Sequence, residues 1–231
     1  MNFSQLSAEI TAQALQRVDE LRGQYSGAEE IEDYWAMVDL VSSSAYRAIH
    51  GESAAYYHTE LLLSVVDMSV RPYSSSVVMK EMGDGAILHA RSFRELLEPL
   101  LLIRAVSSLL SARSPDAQHF MAVRAGVTFG PTRKLLRTGR EDYLGSAIDR
   151  LARVAAWHSD QSRVLLSKEV ATPANRTVIS EYQGLTLGKT EVIPESVTKS
   201  GSPVHIYPLL IDDGKLAECS GQYRAWNASE R

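Results

Sequence analysis

Acidic and basic side chains occupy three places in this sequence where a plain scaffold would not need them. Asp39 lies near the end of a short apolar run (YWAMVDLV), and Asp84 lies in a Gly-Asp-Gly turn. Asp142, Asp149 and Arg153 form the third group. Two carboxylates that lie close together repel each other unless a cation lies between them. Pairs of divalent ions held by carboxylate oxygens promote in-line displacement at phosphorus, so the pattern indicates metal-assisted chemistry on phosphates.

The chain must fold so that these groups meet. The aromatic and β-branched residues of Tyr34–Val41 predict a buried strand, and Ser74–Ala90 predicts two strands joined by the turn at Asp84. Helical periodicity and further apolar runs predict helices at Ser7–Arg22, Ala45–Met68, Phe93–Ser111 and Gly145–Trp157, and strands at Phe120–Thr128, Arg163–Leu166 and Pro203–Leu209. The segment FGPTRKLLRTG is predicted as a connection. The order predicts an α+β fold with a ferredoxin-like βαββαβ core and helices on one face of the sheet, preceded by an N-terminal helix.

In such a sheet the turn between the middle strands lies beside the end of the first strand. We therefore expect Asp39 and Asp84 to face each other. The glycines on both sides of Asp84 allow a tight turn and leave room for a bulky anion. The alternative for Asp84 taken alone is an ordinary turn aspartate.

Composition excludes several classes of function. The chain has 231 residues, 45% of them hydrophobic, which is typical of one globular domain with short extensions. A single cysteine, Cys219, and no recognisable signal peptide predict a cytoplasmic location. Charged residues interrupt the longest apolar stretches, so no membrane span is expected. The net charge of −4 with scattered Lys and Arg gives no footprint for nucleic acid.

Four blocks of the sequence resemble, in order, the motifs of class III nucleotide cyclases. They are VDLV (Val38–Val41), KEMGDG (Lys80–Gly85), VRAGVTFG (Val123–Gly130) and DYLGSAIDRLAR (Asp142–Arg153). The resemblance covers about Tyr34 to Leu209. It implies a helical extension at residues 1–30, a nucleotide cyclase catalytic domain at 31–212 and a C-terminal tail at 213–231.

The resemblance implies a reaction and its metal ligands. Asp39 and Asp84, with the backbone at Leu40, would hold two divalent ions, Mg²⁺ or Mn²⁺. The ribose 3′-oxygen would attack the α-phosphorus and expel pyrophosphate. Arg153 matches the family's transition-state arginine, while Asp149 stands where the family has an asparagine that orients the ribose. A salt bridge between Arg153 and Asp149 is the alternative.

Two further positions depart from the family pattern. The loop after the first strand reads DLVSSSAYR, whereas the family usually has a glycine and an aromatic residue, as in D-I-V-G-F-T. Serines still offer donors to a triphosphate. Lys199 is the nearest candidate for the lysine that the family places before its last strand to contact phosphates. A solvated loop lysine is the alternative.

Three residues bear on the choice of base. By resemblance Lys80 and Asp142 read the nucleobase, and this pair suits adenine, cytosine or uracil but not guanine. Trp157 follows Arg153 by one helical turn, and this spacing resembles the pyrimidine cyclases of Pycsar anti-phage systems. An aromatic wall would fit a one-ring base. The alternative is that Trp157 is a core residue at helical spacing.

Three hypotheses follow. The first is a pyrimidine cyclase that converts UTP, or else CTP, into a cyclic nucleotide that signals in anti-phage defence through a separate effector protein. The second is an adenylate cyclase, motivated by the intact Lys80 and Asp142. The third is a catalytically silent cyclase-like regulatory module, motivated by Asp149 and the serine loop. The resemblance also implies a head-to-tail homodimer that forms its sites at the interface, with the metal residues from one protomer and Lys80, Asp142 and Arg153 largely from the other.

Overall fold

The fold was determined as a computed structural model that describes residues 3–113, 121–137, 140–157, 162–195 and 202–212. Cys219, Lys199 and the predicted tail at 213–231 lie outside these residues. The helices are α1 (Phe3–Ser26), α2 (Ser43–His50), α3 (Glu52–Val70), α4 (Phe93–Arg113), α5 (Ser146–Ala156) and α6 (Pro173–Ser180). The strands are β1 (Glu30–Leu40), β2 (Val77–Met82), β3 (Gly85–Ala90), β4 (Val123–Arg137), β5 (Arg140–Leu144), β6 (Val164–Ser167), β7 (Leu185–Leu187), β8 (Glu191–Ile193) and β9 (Val204–Ile211).

One sheet joins the described strands in the order β2-β3-β1-β4-β6-β9-β7, with β5 added beside β4 and β8 beside β9. Both neighbours of β1 are antiparallel to it. Successive side chains of β1 point to opposite faces. Ala36, Val38 and Leu40 join the main hydrophobic cluster with residues of α3 and α4, and Trp35 joins a second cluster on the other face.

The predicted ferredoxin-like core is confirmed. Helices α3 and α4 lie on one face of the β2-β3-β1-β4 sheet, as expected for a βαββαβ unit. Helix α5, which follows this unit, covers part of the other face through Ala147 and Leu151. A Cβ atom on Gly126 of β4 would lie 2.6 Å from the backbone nitrogen of Ala155, so this close packing of helix on strand requires glycine. The N-terminal helix is present as α1.

The prediction of a connection after Thr128 was wrong. The segment FGPTRKLLRTG mostly continues β4, which pairs with β1 as far as Arg133 and then with β5. Pro131 lies between the part of β4 that pairs with β6 and the part that pairs with β5, so its missing N–H removes no bond on that side. Strand pairing here overrides the local turn signals.

The single helix predicted at Ala45–Met68 was also wrong in part. It is divided into α2 and α3 at Gly51, which has φ +84°. That backbone angle favours glycine and ends the first helix. Helix α6 and strands β7 and β8 were not predicted, because each is short and carries little periodicity. None of the helices in the described ranges combines the length and hydropathy that a membrane span requires.

Candidate active site

Two carboxylates meet where β1 ends. The strand register places Asp39 opposite Gly85, the residue directly after Asp84. The Leu40 N–H donates to Asp39 Oδ1 at 2.8 Å, and the Ser43 hydroxyl donates to Asp84 Oδ2 at 2.7 Å. A Cβ atom on Gly85 would lie 2.4 Å from the Val38 carbonyl oxygen. Glycine at position 85 therefore lets the hairpin turn lie against the end of β1.

An arginine that the sequence reasoning did not single out completes this group. Arg124 lies opposite Asp39 on β4 and donates to Asp39 Oδ2 through Nε at 3.1 Å and through Nη2. Its Nη1 atom is buried and has no hydrogen-bond partner among the described residues. Arg124 stands in the block VRAGVTFG, but only the pairing of β1 with β4 shows that it faces Asp39. A buried donor without an acceptor indicates a place for an anionic ligand atom.

Asp39 lies in an environment that disfavours its negative charge. Burial raises the pKa of Asp39 above its ordinary value, and the nearby charge of Asp84 raises it further. The hydrogen bond and charge of Arg124 oppose this rise. A carboxylate that is partly buried beside a second carboxylate gains from an additional cation. The two side chains are therefore electrostatically suited to a divalent ion.

The described residues contain no group of three or more His, Cys, Asp or Glu side chains arranged to hold a metal ion. Among the described residues, Asp39 and Asp84 are the two carboxylates available here. Mg²⁺ is usually held by one or two carboxylates, with waters and substrate phosphates filling its remaining positions. Arg124 Nη1 adds a buried donor without a partner in the described part of the chain. This donor set fits a divalent ion that binds together with a triphosphate.

The two residues expected to read a base lie in contact. Lys80 on β2 donates through Nζ to Asp142 Oδ1 on β5. The N–H of Tyr143 donates to the same oxygen at 3.0 Å. The side chains of both Lys80 and Asp142 are partly exposed, with 37% and 26% of their surface accessible. Both side chains therefore have accessible surface for a ligand, and the contact between them orients both.

Arg153 and Asp149 line one pocket of about 500 Å³ beside α5. The pocket also contains Lys168 and His205, from the end of β6 and the start of β9. Arg153 and Asp149, both described by the structure, form no ion pair with each other, whereas Arg150 pairs with Glu169 at 3.1 Å. The simple salt bridge is therefore not what holds Arg153. Lys199 cannot be placed, because it lies outside the described residues.

Trp157 follows the last turn of α5. Its side chain packs against the cluster of Val154, Leu165, Ile193 and Ile206, together with Val204. These contacts are those expected of a core residue, which was the alternative considered from the sequence. Val204, which packs against the same cluster, lines the pocket of Arg153, whereas Trp157 is not among the residues that line it.

Comparison with solved structures finds the same fold in several cyclases. No protein-family model and no curated protein matches the sequence. The adenylyl cyclase CyaB from P. aeruginosa is 14% identical, with a TM-score of 0.59 over 80% of this chain and 97% of that chain. The adenylate/guanylate cyclase/hydrolase from Silicibacter pomeroyi is 16% identical, with a TM-score of 0.61 over 80% and 100%. An adenylate cyclase from Trypanosoma brucei is 15% identical, with a TM-score of 0.61 over 77% and 87%.

The chain has the fold of a class III cyclase catalytic domain. Within this cyclase fold, the carboxylates and the pocket of Arg153 lie on different parts of the sheet. Asp39 is on β1, whereas the pocket is bounded by β6 and β9. The residues that line the pocket of Arg153 therefore do not include Asp39 or Asp84.

The serine loop of this cyclase fold carries local strain. Ser42 adopts φ +55° and ψ +34°, the left-handed conformation that costs a residue with a side chain about 1–2 kcal/mol. It stands at the position where the cyclase motif usually has glycine. Ser43, at the position of the usual aromatic residue, instead bonds Asp84. The loop keeps the shape that a glycine would give, while the Ser43 hydroxyl holds the Asp84 carboxylate.

We expect Ser42→Gly to raise the free energy of unfolding by about 0.5–1 kcal/mol, because glycine adopts this backbone conformation without steric cost. Ser44→Gly is the matched control, since Ser44 lies inside α2 and glycine there should lower stability by a similar amount. Urea denaturation of both variants measures the difference. Equal destabilisation by both substitutions would contradict the strain at Ser42.

Proposed function

We propose that this chain is a nucleotidyl cyclase that converts a nucleoside triphosphate into its 3′,5′-cyclic monophosphate and pyrophosphate. One observation carries the proposal. Two carboxylates, Asp39 and Asp84, meet beside Arg124, whose buried Nη1 donor has no acceptor among the described residues. In a cyclase fold, this arrangement suits a divalent ion and a triphosphate that bind together.

The residues of the site divide the work of this reaction. Divalent ions, Mg²⁺ or Mn²⁺, would acidify the ribose 3′-hydroxyl and neutralise the triphosphate. Asp39 and Asp84 would hold these ions, with the backbone at Leu40 beside them, and Ser43 donates a hydrogen bond that orients Asp84. A bond forms between the 3′-oxygen and the α-phosphorus, and the bond from that phosphorus to the oxygen bridging to the β-phosphate breaks. Pyrophosphate leaves, and the hydroxyl proton passes to solvent.

Arg124 would interact with both Asp39 and the phosphates. Its guanidinium compensates the charge of Asp39. A divalent ion held by Asp39 would neutralise that carboxylate, and the Arg124 donors, including the unpartnered Nη1, would then be available to phosphate oxygens. The arginine thus lowers the cost of keeping Asp39 ionised before substrate arrives.

A second copy of the chain supplies the transition-state arginine. Arg153 lines a pocket with Lys168 and His205 rather than with Asp39 or Asp84, and the resemblance to class III cyclases implies that it acts in the site of a partner chain. In a head-to-tail homodimer the Arg153 pocket of one protomer meets Asp39 and Asp84 of its partner. Arg153 would then stabilise the charge that develops on the α-phosphate. Asp149 and Lys199 remain candidates for ribose and phosphate contacts.

We propose a pyrimidine substrate, UTP ahead of CTP, and a signalling role in anti-phage defence through a separate effector protein. The Lys80–Asp142 pair offers one donor and one acceptor, as uracil and cytosine require. Trp157 follows Arg153 by one helical turn, and by resemblance to the Pycsar pyrimidine cyclases an aromatic residue at this position would favour a one-ring base. Adenylate cyclase activity is the second candidate, since the same pair suits adenine and CyaB from P. aeruginosa is an adenylyl cyclase.

The deciding experiment supplies purified full-length protein with Mn²⁺ and each of the four nucleoside triphosphates. Cyclic UMP or cyclic CMP as the main product supports the pyrimidine cyclase. Cyclic AMP as the main product would replace it with the adenylate cyclase. No cyclic product from any nucleotide would favour a catalytically silent module.

Trp157 provides a test of base selection. We expect Trp157→Leu to lower the ratio of kcat/KM for UTP over ATP roughly tenfold, because a smaller side chain relaxes the fit to a one-ring base. Leucine keeps an apolar side chain against the cluster that contains Leu165 and Ile206, and the lost volume should lower stability without changing the fold. Thermal unfolding of the variant checks that the chain is folded. An unchanged ratio in a folded variant would assign Trp157 to the core alone.

A further inference from the structure

A connected set of polar side chains crosses the sheet at a distance from the metal-site carboxylates. His89 on β3 stacks on Trp35, with ring centroids 4.4 Å apart. Its Nδ1 lies 2.9 Å from Asp33 Oδ2, and its Nε2 lies 3.1 Å from the hydroxyl of Tyr143. The Tyr143 hydroxyl donates to Glu141 Oε2 at 3.0 Å. His89 thus joins the start of β1 to β5.

At Glu141 the polar set contacts strand β4. Lys134 Nζ lies 2.5 Å from Glu141 Oε1, and the Lys134 N–H donates to the Glu29 carbonyl at 3.0 Å. All these residues except Trp35 line a pocket of about 620 Å³ where α1 leads into β1. None of them takes part in the proposed chemistry. The buried part of the set, Asp33 and His89, therefore has no assigned role so far.

The hydrogen bond between His89 and Tyr143 bears on the position of Asp142, because Tyr143 directly follows Asp142 in β5. In the described sheet β5 pairs with β4 alone, so side chains must hold its free edge. Two contacts do so. Asp142 meets Lys80 of β2, and Tyr143 meets His89 of β3. Tyr143 also packs its ring 4.9 Å from those of both Trp35 and His89.

We propose that His89 is a positioning residue for base selection, which through the Tyr143 hydroxyl fixes β5 so that Asp142 presents its carboxylate beside Lys80. This inference rests on the proposed nucleotide-binding function of that pair. A hydrogen-bonding pair discriminates between bases only if its direction is fixed within a fraction of an ångström. Lys80 alone cannot fix Asp142, because its own side chain is long and more than one third exposed.

The protonation state of His89 determines how this set is bonded. Burial lowers the pKa of His89, while the neighbouring Asp33 and Glu141 act in the opposite direction and Lys134 adds to the lowering. When His89 is neutral and donates from Nδ1 to Asp33, its Nε2 is an acceptor that competes with Glu141 for the single hydroxyl hydrogen of Tyr143. When His89 is protonated, Nε2 donates to the Tyr143 oxygen and the hydroxyl donates to Glu141 alone. Protonation of His89 therefore decides the direction of the hydrogen bonds that hold Tyr143.

The test compares Tyr143→Phe with Tyr182→Phe. The first variant removes the hydroxyl that meets His89 and keeps the ring on Trp35. The second removes a matched hydroxyl that donates to Glu98 at 2.7 Å on the other side of the sheet. Competition against a fluorescent nucleotide gives the Kd of each of the four triphosphates with Ca²⁺, and turnover with Mn²⁺ gives kcat and KM for each.

We expect Tyr143→Phe to reduce the preference between bases roughly tenfold in Kd and KM, with kcat for the preferred nucleotide changed less than about threefold. Tyr182→Phe should keep the wild-type preference. The wild-type preference should also change as the pH falls through the pKa of His89, which burial lowers from its ordinary value, and His89→Gln should abolish that change.

The outcomes separate this inference from the cyclase proposal. Binding with a base preference that depends on Tyr143, but without cyclic product, would overturn the cyclase and retain the positioning role. Cyclic product with an unaltered preference in folded Tyr143→Phe would overturn the positioning role and retain the cyclase. An equal loss of preference in Tyr182→Phe would also overturn it, since a general effect on stability would then explain both variants.

Discussion

Asp84→Asn is expected to lower the rate of cyclic nucleotide formation about a thousandfold at saturating Mn²⁺. The substitution removes one of the two carboxylates that hold the metal ions, and metal stabilisation of a phosphoryl transition state contributes several kcal/mol. A loss of roughly 4 kcal/mol corresponds to this factor. The asparagine side chain has the same shape and still accepts a hydrogen bond from Ser43. The hairpin turn should therefore keep its structure.

Stability measurements distinguish loss of metal binding from loss of fold. The charge of Asp84 is one cause of the raised pKa of Asp39, and a raised pKa means that the folded chain loses stability as the pH rises through it. Removing that charge should leave the metal-free variant at least as stable as wild type at neutral pH. Mn²⁺ should stabilise wild type against unfolding and have little effect on the variant.

The control for this experiment is Asp67→Asn. Asp67 is an exposed aspartate on α3 that pairs with Arg71, the residue directly after the helix. Surface pairs of this kind contribute at most about 1 kcal/mol. It should keep wild-type activity. Full activity in Asp84→Asn would leave Asp84 as an ordinary turn residue, and lost activity with lost stability would point to a structural role instead.

The sequence carried enough information to predict the core of the fold. The aromatic and β-branched run Tyr34–Val41 and the Gly-Asp-Gly turn between β2 and β3 are local signals, and the strand register that they predict places Asp39 opposite Gly85, next to Asp84. Lys80 and Asp142 were singled out on sequence, and the structure places them in contact. Their roles in a reaction stay predictions.

The features of the fold and the site that were not predicted from the sequence depend on strand pairing. Arg124 is an unremarkable residue in sequence until β4 pairs with β1 and places it opposite Asp39. The β4 segment around Pro131 has the composition of a turn, yet the ladders to β1 and β5 hold it extended. Likewise His89 and Tyr143 are 54 residues apart, and no local pattern indicates that their side chains meet.

The contacts of Arg124 with Asp39 and of His89 with Tyr143 were not predicted, and they concern two different parts of the proposed substrate, the phosphates and the base. Arg124 compensates Asp39 where the phosphates would bind, and His89 holds β5 where the base would bind. Both are partly buried, and both act on a carboxylate that the sequence had already indicated. The sequence therefore identified groups that would contact substrate, whereas the structure identifies the residues that hold them in place.

Mixing two inactive variants is expected to restore activity, which would show that each site is shared between two chains. Asp39→Asn removes a metal ligand, and Arg153→Ala removes the transition-state cation from the separate pocket beside β9. In a random mixture half of the dimers contain one chain of each kind, and each of these has one intact site of two. Activity should recover to roughly a quarter of the wild-type value.

The control mixes Asp39→Asn with Asp84→Asn, which damage the same half of the site and should stay inactive together. If subunits exchange and the first mixture stays as inactive as this control, each chain must complete its own site, and the head-to-tail arrangement is wrong.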